Sequence, residues 1–126
     1  MVSIDFEKIR KECPKAIAAV YAHFNINPTD LEGISHEEDG YIKFIWNSSV
    51  NLLIDIRNLY DFFDRNWLFL IPDMTEIDES NDKPMFCTGW KDRLSYFNEV
   101  EGWYINRYDA ECAGFNKLFY VLEERL

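Results

Sequence analysis

Glycine is scarce and scattered: there are five in 126 residues, with no G-x-G-x-x-G run and no G-K-[ST]. Loops that cradle phosphates need clustered glycines for close backbone approach, so nucleotide enzymes of the familiar kinds are disfavoured. Positive charge is short as well. Thirteen Lys and Arg stand against 23 Asp and Glu, for a net charge of -10. Phosphate backbones and anionic membranes are gripped by clustered cations, and none cluster here. Neither direct nucleic-acid binding nor membrane binding is expected. Long hydrophobic runs are missing too. The start, MVSIDFEKIRKEC, turns charged after four residues, and no apolar stretch nears the roughly 18 residues of a membrane span.

Cysteine and histidine are few. Cys13, Cys87 and Cys112 are odd in number and far apart, which reads as free thiols in a reducing cytoplasm. Cytoplasmic localisation is the expectation. His23 and His36 form neither H-x-x-x-H nor H-E-x-x-H, so no zinc spacing exists. A Cys–His nucleophile pair would need one of them beside a thiol. Cys112 stands in the first turns of the last helix, where a dipole lowers a thiol pKa. The ordinary alternative is a small buried cysteine. No catalytic residue, metal ligand or cofactor is assigned, and an enzyme is not expected.

Aromatic residues are what the chain does have. The sequence is 48% hydrophobic and 17% aromatic, which excludes general disorder and suits one globular domain over residues 1–126. Phe6, Ile9, Cys13, Ile17, Val20 and Phe24 follow a helical stripe interrupted by Pro14, giving helices over about 4–12 and 14–24, the first capped by Ser3. Residues 25–40 read as a loop, in which "SHEE" suits a short helix start at Ser35 while "YIKFIW" (41–46) alternates as a strand. In 51–65, Leu52, Ile56, Leu59 and Phe63 share a helical face, and Asn66 suits the left-handed turn that ends a helix. "WLFLIP" is then a strand ended by Pro72, and 73–84 an acidic hairpin connection. Strands are expected at 85–90, 93–97 and 102–106, followed by a helix capped by Asn106 with Asp109 at its third position. The pattern predicts an α+β fold, an antiparallel sheet of three to four strands packed against N-terminal, central and C-terminal helices.

Two acidic groups invite a metal reading. Asp73, Glu76, Asp78, Glu79 and Asp82 lack the glycine and terminal glutamate of an EF-hand loop, so a solvated turn is the simpler account. His36 with Glu37, Glu38 and Asp39 is a run of chain neighbours, which rarely converge on one ion. Trp90, Tyr96, Trp103 and Tyr104 lie on or beside the later strands and are candidate interface residues, with burial in the core as the alternative. Trp103 and Tyr104 should face opposite ways. Arg57 and Asp61, at i and i+4, can pair on a helix. Arg107 sits where the helix dipole disfavours a cation, which suggests a carboxylate partner such as Asp61 or Asp64.

"RNLYDFFD" (57–64) and the closing "NRYDAECAGFNKLFYVLEERL" together resemble a set of small, mostly uncharacterised proteins of gut bacteria and their phages or mobile elements. The resemblance spans about 57–126 and implies a compact cytosolic accessory protein. It carries over no catalytic residue. The expected function is a non-enzymatic protein-interaction module whose partner is another protein or a second copy of the chain. The alternatives are an acidic inhibitor imitating nucleic acid, or a small-molecule-binding domain. Uneven charge motivates the mimic, since residues 25–44 carry -4 and residues 1–24 carry +1.

Overall fold

The computed structural model describes residues 1–78, 83–94 and 96–126, with side chains outside the description at 73–78. It is an α+β fold. Helices α1 (Phe6–Glu12) and α2 (Pro14–His23) lead into a hairpin sheet, β1 (Gly33–His36), β2 (Tyr41–Ile45) and β3 (Asn51–Asp55). After α3 (Asn58–Arg65) come β4 (Leu68–Asp78), β5 (Lys83–Asp92) and β6 (Phe97–Glu99), and α4 (Arg107–Arg125) closes the chain. The strands form two antiparallel sheets, ordered β1-β2-β3 and β4-β5-β6.

Pro14 does separate two helices, and it occupies the start of α2, where a missing N–H costs nothing. The first helix is capped by Asp5, whose Oδ1 accepts from Lys8 N at 3.1 Å, rather than by Ser3. The cap of α2 comes from far along the chain: Glu123 of α4 accepts from Lys15 N at 3.2 Å and Ala16 N at 2.8 Å. A carboxylate on the orphan amides of a helix N-terminus satisfies donors and suits the dipole at once.

Residues 51–55 are strand, not helix. The turn before them decides this: Asn47 Oδ1 accepts from Ser49 N and Val50 N, folding N-S-S-V into a tight reversal. β3 then pairs with β2, Phe44 opposite Leu52 and Ile42 opposite Ile54. The segment 33–36 also resolves as a strand, pairing Ile34 with Phe44. Asn66 keeps a negative φ, and the left-handed residue is Trp67, at φ 61.

β4 runs through Pro72. Ile71 pairs with Gly89 and the next partners are Met74 and Cys87, so a bulge absorbs the proline on an edge strand. Of the expected hairpin connection, 73–78 and 83–84 extend these strands, and 79–82 lie outside the described residues. The strand expected at 93–97 is shorter. Leu94 N donates to Asp92 Oδ1 at 2.9 Å, making a turn, and β6 starts at Phe97. The strand expected at 102–106 is a single bridge between Tyr104 and Phe86.

The core lies where α4 packs against the three other helices and the second sheet. Phe6, Phe62, Phe63, Phe115 and Phe119 are all essentially unexposed, and their rings meet edge-on or stacked. Leu70, Trp90 and Asn98 form one cross-strand row of the second sheet. Leu70 and Trp90 are buried on that face, the one α4 covers: Thr88 Oγ1 donates to Ala110 O and Arg125 lies over Trp90.

Candidate functional site

Strand alternation sorts the expected interface residues. Trp90 is buried, because its position in β5 turns it toward α4 with Leu70; it is a core residue rather than a surface anchor. Above it, Arg125 places its guanidinium 5.4 Å from the ring and donates to Asp92 at 3.0 Å. Burial alone would raise the Asp92 carboxyl, but its bonds from Arg125 and Leu94 N outweigh that and hold it below the usual range. Tyr96 is 70% exposed and Trp103 45%. Tyr104 is half-buried, its backbone bridging to Phe86 and its ring lying against Gly102.

The side chains facing away from α4 form a second cross-strand row: Phe69, Lys91 and Phe97. Phe97 lies against Gly89, which has no side chain to displace it. Trp67 meets Phe69 edge-on, centroids 6.3 Å apart, and Arg93 stands 4.8 Å over the Trp67 ring. Leu94 closes the turn after β5, and Tyr96 precedes β6. Trp67 and Phe97 thus mark an exposed apolar corner at one end of the second sheet, around Arg93 and Lys91, with Leu94 and Tyr96 exposed beside them in the chain. Trp67 holds it at a cost. A bulky residue at φ 61 is strained by about 1–3 kcal/mol, and such strain concentrates where a side chain must be presented. Sequence reasoning missed Trp67 as a site residue, because the turn of α3 into β4 sets its exposure.

The expected ion pairs are rearranged. Asp61 pairs with Arg65 at 3.2 Å and lies 3.5 Å from His23 Nε2, rather than pairing with Arg57 or Arg107. Arg107 instead lies 5.3 Å over the Phe86 ring, which compensates its unfavourable place at the start of α4. Partial burial, with the neighbouring Asp61 charge, pushes the Asp64 carboxyl up. Burial pushes the Tyr108 hydroxyl well above its ordinary range, and the nearby Arg57 charge only partly opposes this.

Two of the three thiols are held protonated by their surroundings. Cys13, Cys87 and Cys112 are buried. Burial pushes the Cys13 thiol up to about 11 and the Cys112 thiol up to about 12, with nearby carboxylates adding to both. Thiolate chemistry needs the opposite shift.

His36, unlike a metal ligand, spends both ring nitrogens within the fold. Nδ1 accepts from Ile4 N at 2.9 Å, so the ring proton sits on Nε2, which donates to the Tyr108 hydroxyl. That hydroxyl in turn bonds Cys112. Asp109 Oδ1 accepts from Val2 N at 3.0 Å and Asn116 donates to Ser3 O at 3.0 Å. Three side chains thus strap the N-terminal segment across β1 and α4. Glu37, the other charge near His36, pairs with Lys43 at 3.6 Å.

Burial lowers the His36 pKa from 6.5, with Glu37 opposing. The unfolded chain therefore takes up this proton first as pH falls below about 6.5, and the fold loses stability from there down to the native pKa. A protonated Nδ1 would also face the Ile4 N–H donor to donor. His36→Asn, whose Oδ1 can replace the acceptor, should flatten this dependence. Urea midpoints at pH 7 and pH 5 give the test, since equal losses in both proteins would remove the role of His36.

An open groove of about 520 Å³ runs between the β6–Tyr104 stretch and α4, lined by Val2, Glu99, Val100, Tyr104 and Lys117 among others. Among the described residues, no buried side-chain nitrogen or oxygen lacks a hydrogen-bond partner. No helix among the described residues is long and apolar enough to cross a membrane. Comparison of the chain with protein-family models, with curated proteins and with solved structures finds no match to any of them.

Proposed function

We propose that the chain is a non-enzymatic interaction module that binds a protein partner through the corner formed by Trp67, Leu94, Tyr96 and Phe97. One observation carries this reading: a tryptophan held in the left-handed conformation and 52% exposed, with an arginine stacked on its ring. Trp and Arg dominate binding hot spots because they offer large, stiff contact area at small entropic cost. The cations Lys91 and Arg93 stand within the corner of a chain whose net charge is -10. Its partner is an apolar protein segment flanked by carboxylates.

Selection of a random peptide library on the intact protein tests this. Enriched peptides should combine aromatic or aliphatic centres with acidic flanks. Trp67→Gly and Arg93→Glu should each weaken them about tenfold or more. Glycine accepts φ 61 without strain, so Trp67→Gly should stay within about 1 kcal/mol of the parent in stability. Binding that survives both substitutions, or no enrichment at all, removes the proposal.

A further inference from the structure

The first sheet carries an unfinished edge. In the β2–β3 hairpin, Trp46 N bonds Val50 O at 3.0 Å and Ile56 N bonds Gly40 O at 2.9 Å. Antiparallel ladders alternate hydrogen-bonded and non-bonded pairs. The bonded pairs are therefore Phe44–Leu52 and Ile42–Ile54, which follows the register of the hairpin. Asn51, Leu53 and Asp55 turn their backbone N–H and C=O groups outward. β3 is the last strand of its sheet, and nothing among the described residues pairs with these groups. Edge strands are usually blunted by charge, proline or a covering element. This one instead displays Val50, Leu52 and Leu53, exposed 52, 42 and 48%.

Leu52 makes the gap specific. It lies on the same face as the buried Phe44, yet it stays open to solvent because the sheet ends there. We propose that β3 pairs antiparallel with β3 of a second copy about a twofold axis at Leu53, joining the two first sheets into one of six strands. The occupant follows from self-complementarity. Among the twofold registers open to the outward amides, the one centred on Leu53 alone pairs all five residues of β3, matching 51 with 55, 53 with 53 and 55 with 51. That register sets the Asn51 amide against the Asp55 carboxylate of the other copy twice, and it keeps the two Asp55 charges apart. Leu52 then lies across from Ile54 of the other copy, closing the open end of the core. Five residues a side make a small interface, so the dimer is a weak one, with a dissociation constant of about micromolar order. The surface is separate from the Trp67 corner, and neither reading depends on the other.

Sedimentation velocity of the full chain across a concentration series tests the pairing. The expected result is a monomer–dimer equilibrium. Leu53→Lys brings two cations together on the axis, and Asn51→Asp sets carboxylates against Asp55. Each should weaken dimerisation tenfold or more. Leu53→Pro removes only an outward N–H, which spares the β2 ladder while blocking the new one. Far-UV circular dichroism and urea midpoints verify that each variant folds, and Asn51→Asp, a surface change outside the β2 hydrogen bonds, remains informative should either Leu53 variant fail. A monomer throughout the series overturns the proposal. So does a dimer that Asn51→Asp leaves intact, or one that Trp67→Gly dissolves instead.

Discussion

Phe63→Ala is expected to remove about 3–5 kcal/mol of stability, as buried phenylalanines do when truncated. Phe63 is 0% exposed at the meeting of α3 and α4. Its ring stacks on Phe115 at 13° and 5.9 Å, and meets Phe119 and Phe62 edge-on at 5.0 and 4.9 Å. Truncation deletes the transfer energy of the ring and leaves a cavity whose walls are themselves rigid rings, so collapse can recover little. A domain with ordinary stability of about 5–15 kcal/mol would be left near or below the threshold of folding. Urea denaturation of the parent and the variant measures the loss. Trp67→Gly is the contrasting case, an aromatic removed from the surface at little cost. If Phe63→Ala lay within about 1 kcal/mol of the parent, the core would not be where these rings place it.

That core was legible in part. The expected stripe of the last helix, Phe115, Leu118, Phe119, Leu122 and Leu126, was readable because a helix repeats its face locally; α4 buries the first four, while Leu126 at its C-terminal cap stays exposed. Its cap was readable for the same reason: Asn106 Oδ1 accepts from Asp109 N at 2.8 Å, three residues away. β3 was not. Leu52, Ile56, Leu59 and Phe63 fit a helical period, yet Ile56 and Phe63 are buried while Leu52 stays exposed. Short apolar runs fit both periods, and here the Asn47 turn, not the stripe, decided the structure. Pairing partners were the least legible. Arg107 took Phe86 instead of a carboxylate, and Glu123 reached across 107 residues to cap Ala16. Such contacts depend on tertiary placement that no local rule encodes. The candidate corner fell between these cases. Tyr96 was read from the sequence, whereas Trp67 owes its exposure to a backbone angle, and Trp90 its burial to the register of β5.

Gly114 supplies the second large effect, and local reasoning gives it the wrong sign. A glycine inside a 19-residue helix costs about 1 kcal/mol relative to alanine, so Gly114→Ala should by propensity stabilise α4. The packing opposes this. A Cβ at 114 would press into Leu70 Cδ1 and stand 2.8 Å from Thr88 Oγ1, closer than real Cβ atoms come. Leu70 is itself buried, and the Thr88 hydroxyl is held by its bond to Ala110 O at 3.1 Å, so neither can withdraw freely. Overpacking of this kind costs about 1–3 kcal/mol, which cancels or exceeds the propensity gain. Gly114→Ala should therefore be neutral to destabilising, and Gly114→Val, with two more methyl groups against the same wall, should lose about 2–3 kcal/mol or more. Ala113, one position round the helix, allows a control, since Ala113→Gly should cost only the propensity difference. Urea midpoints of the three variants separate the two effects. A Gly114→Ala protein more stable than the parent would mean that α4 does not lie this close to the second sheet, and that the face left to the Trp67 corner is not fixed by that contact.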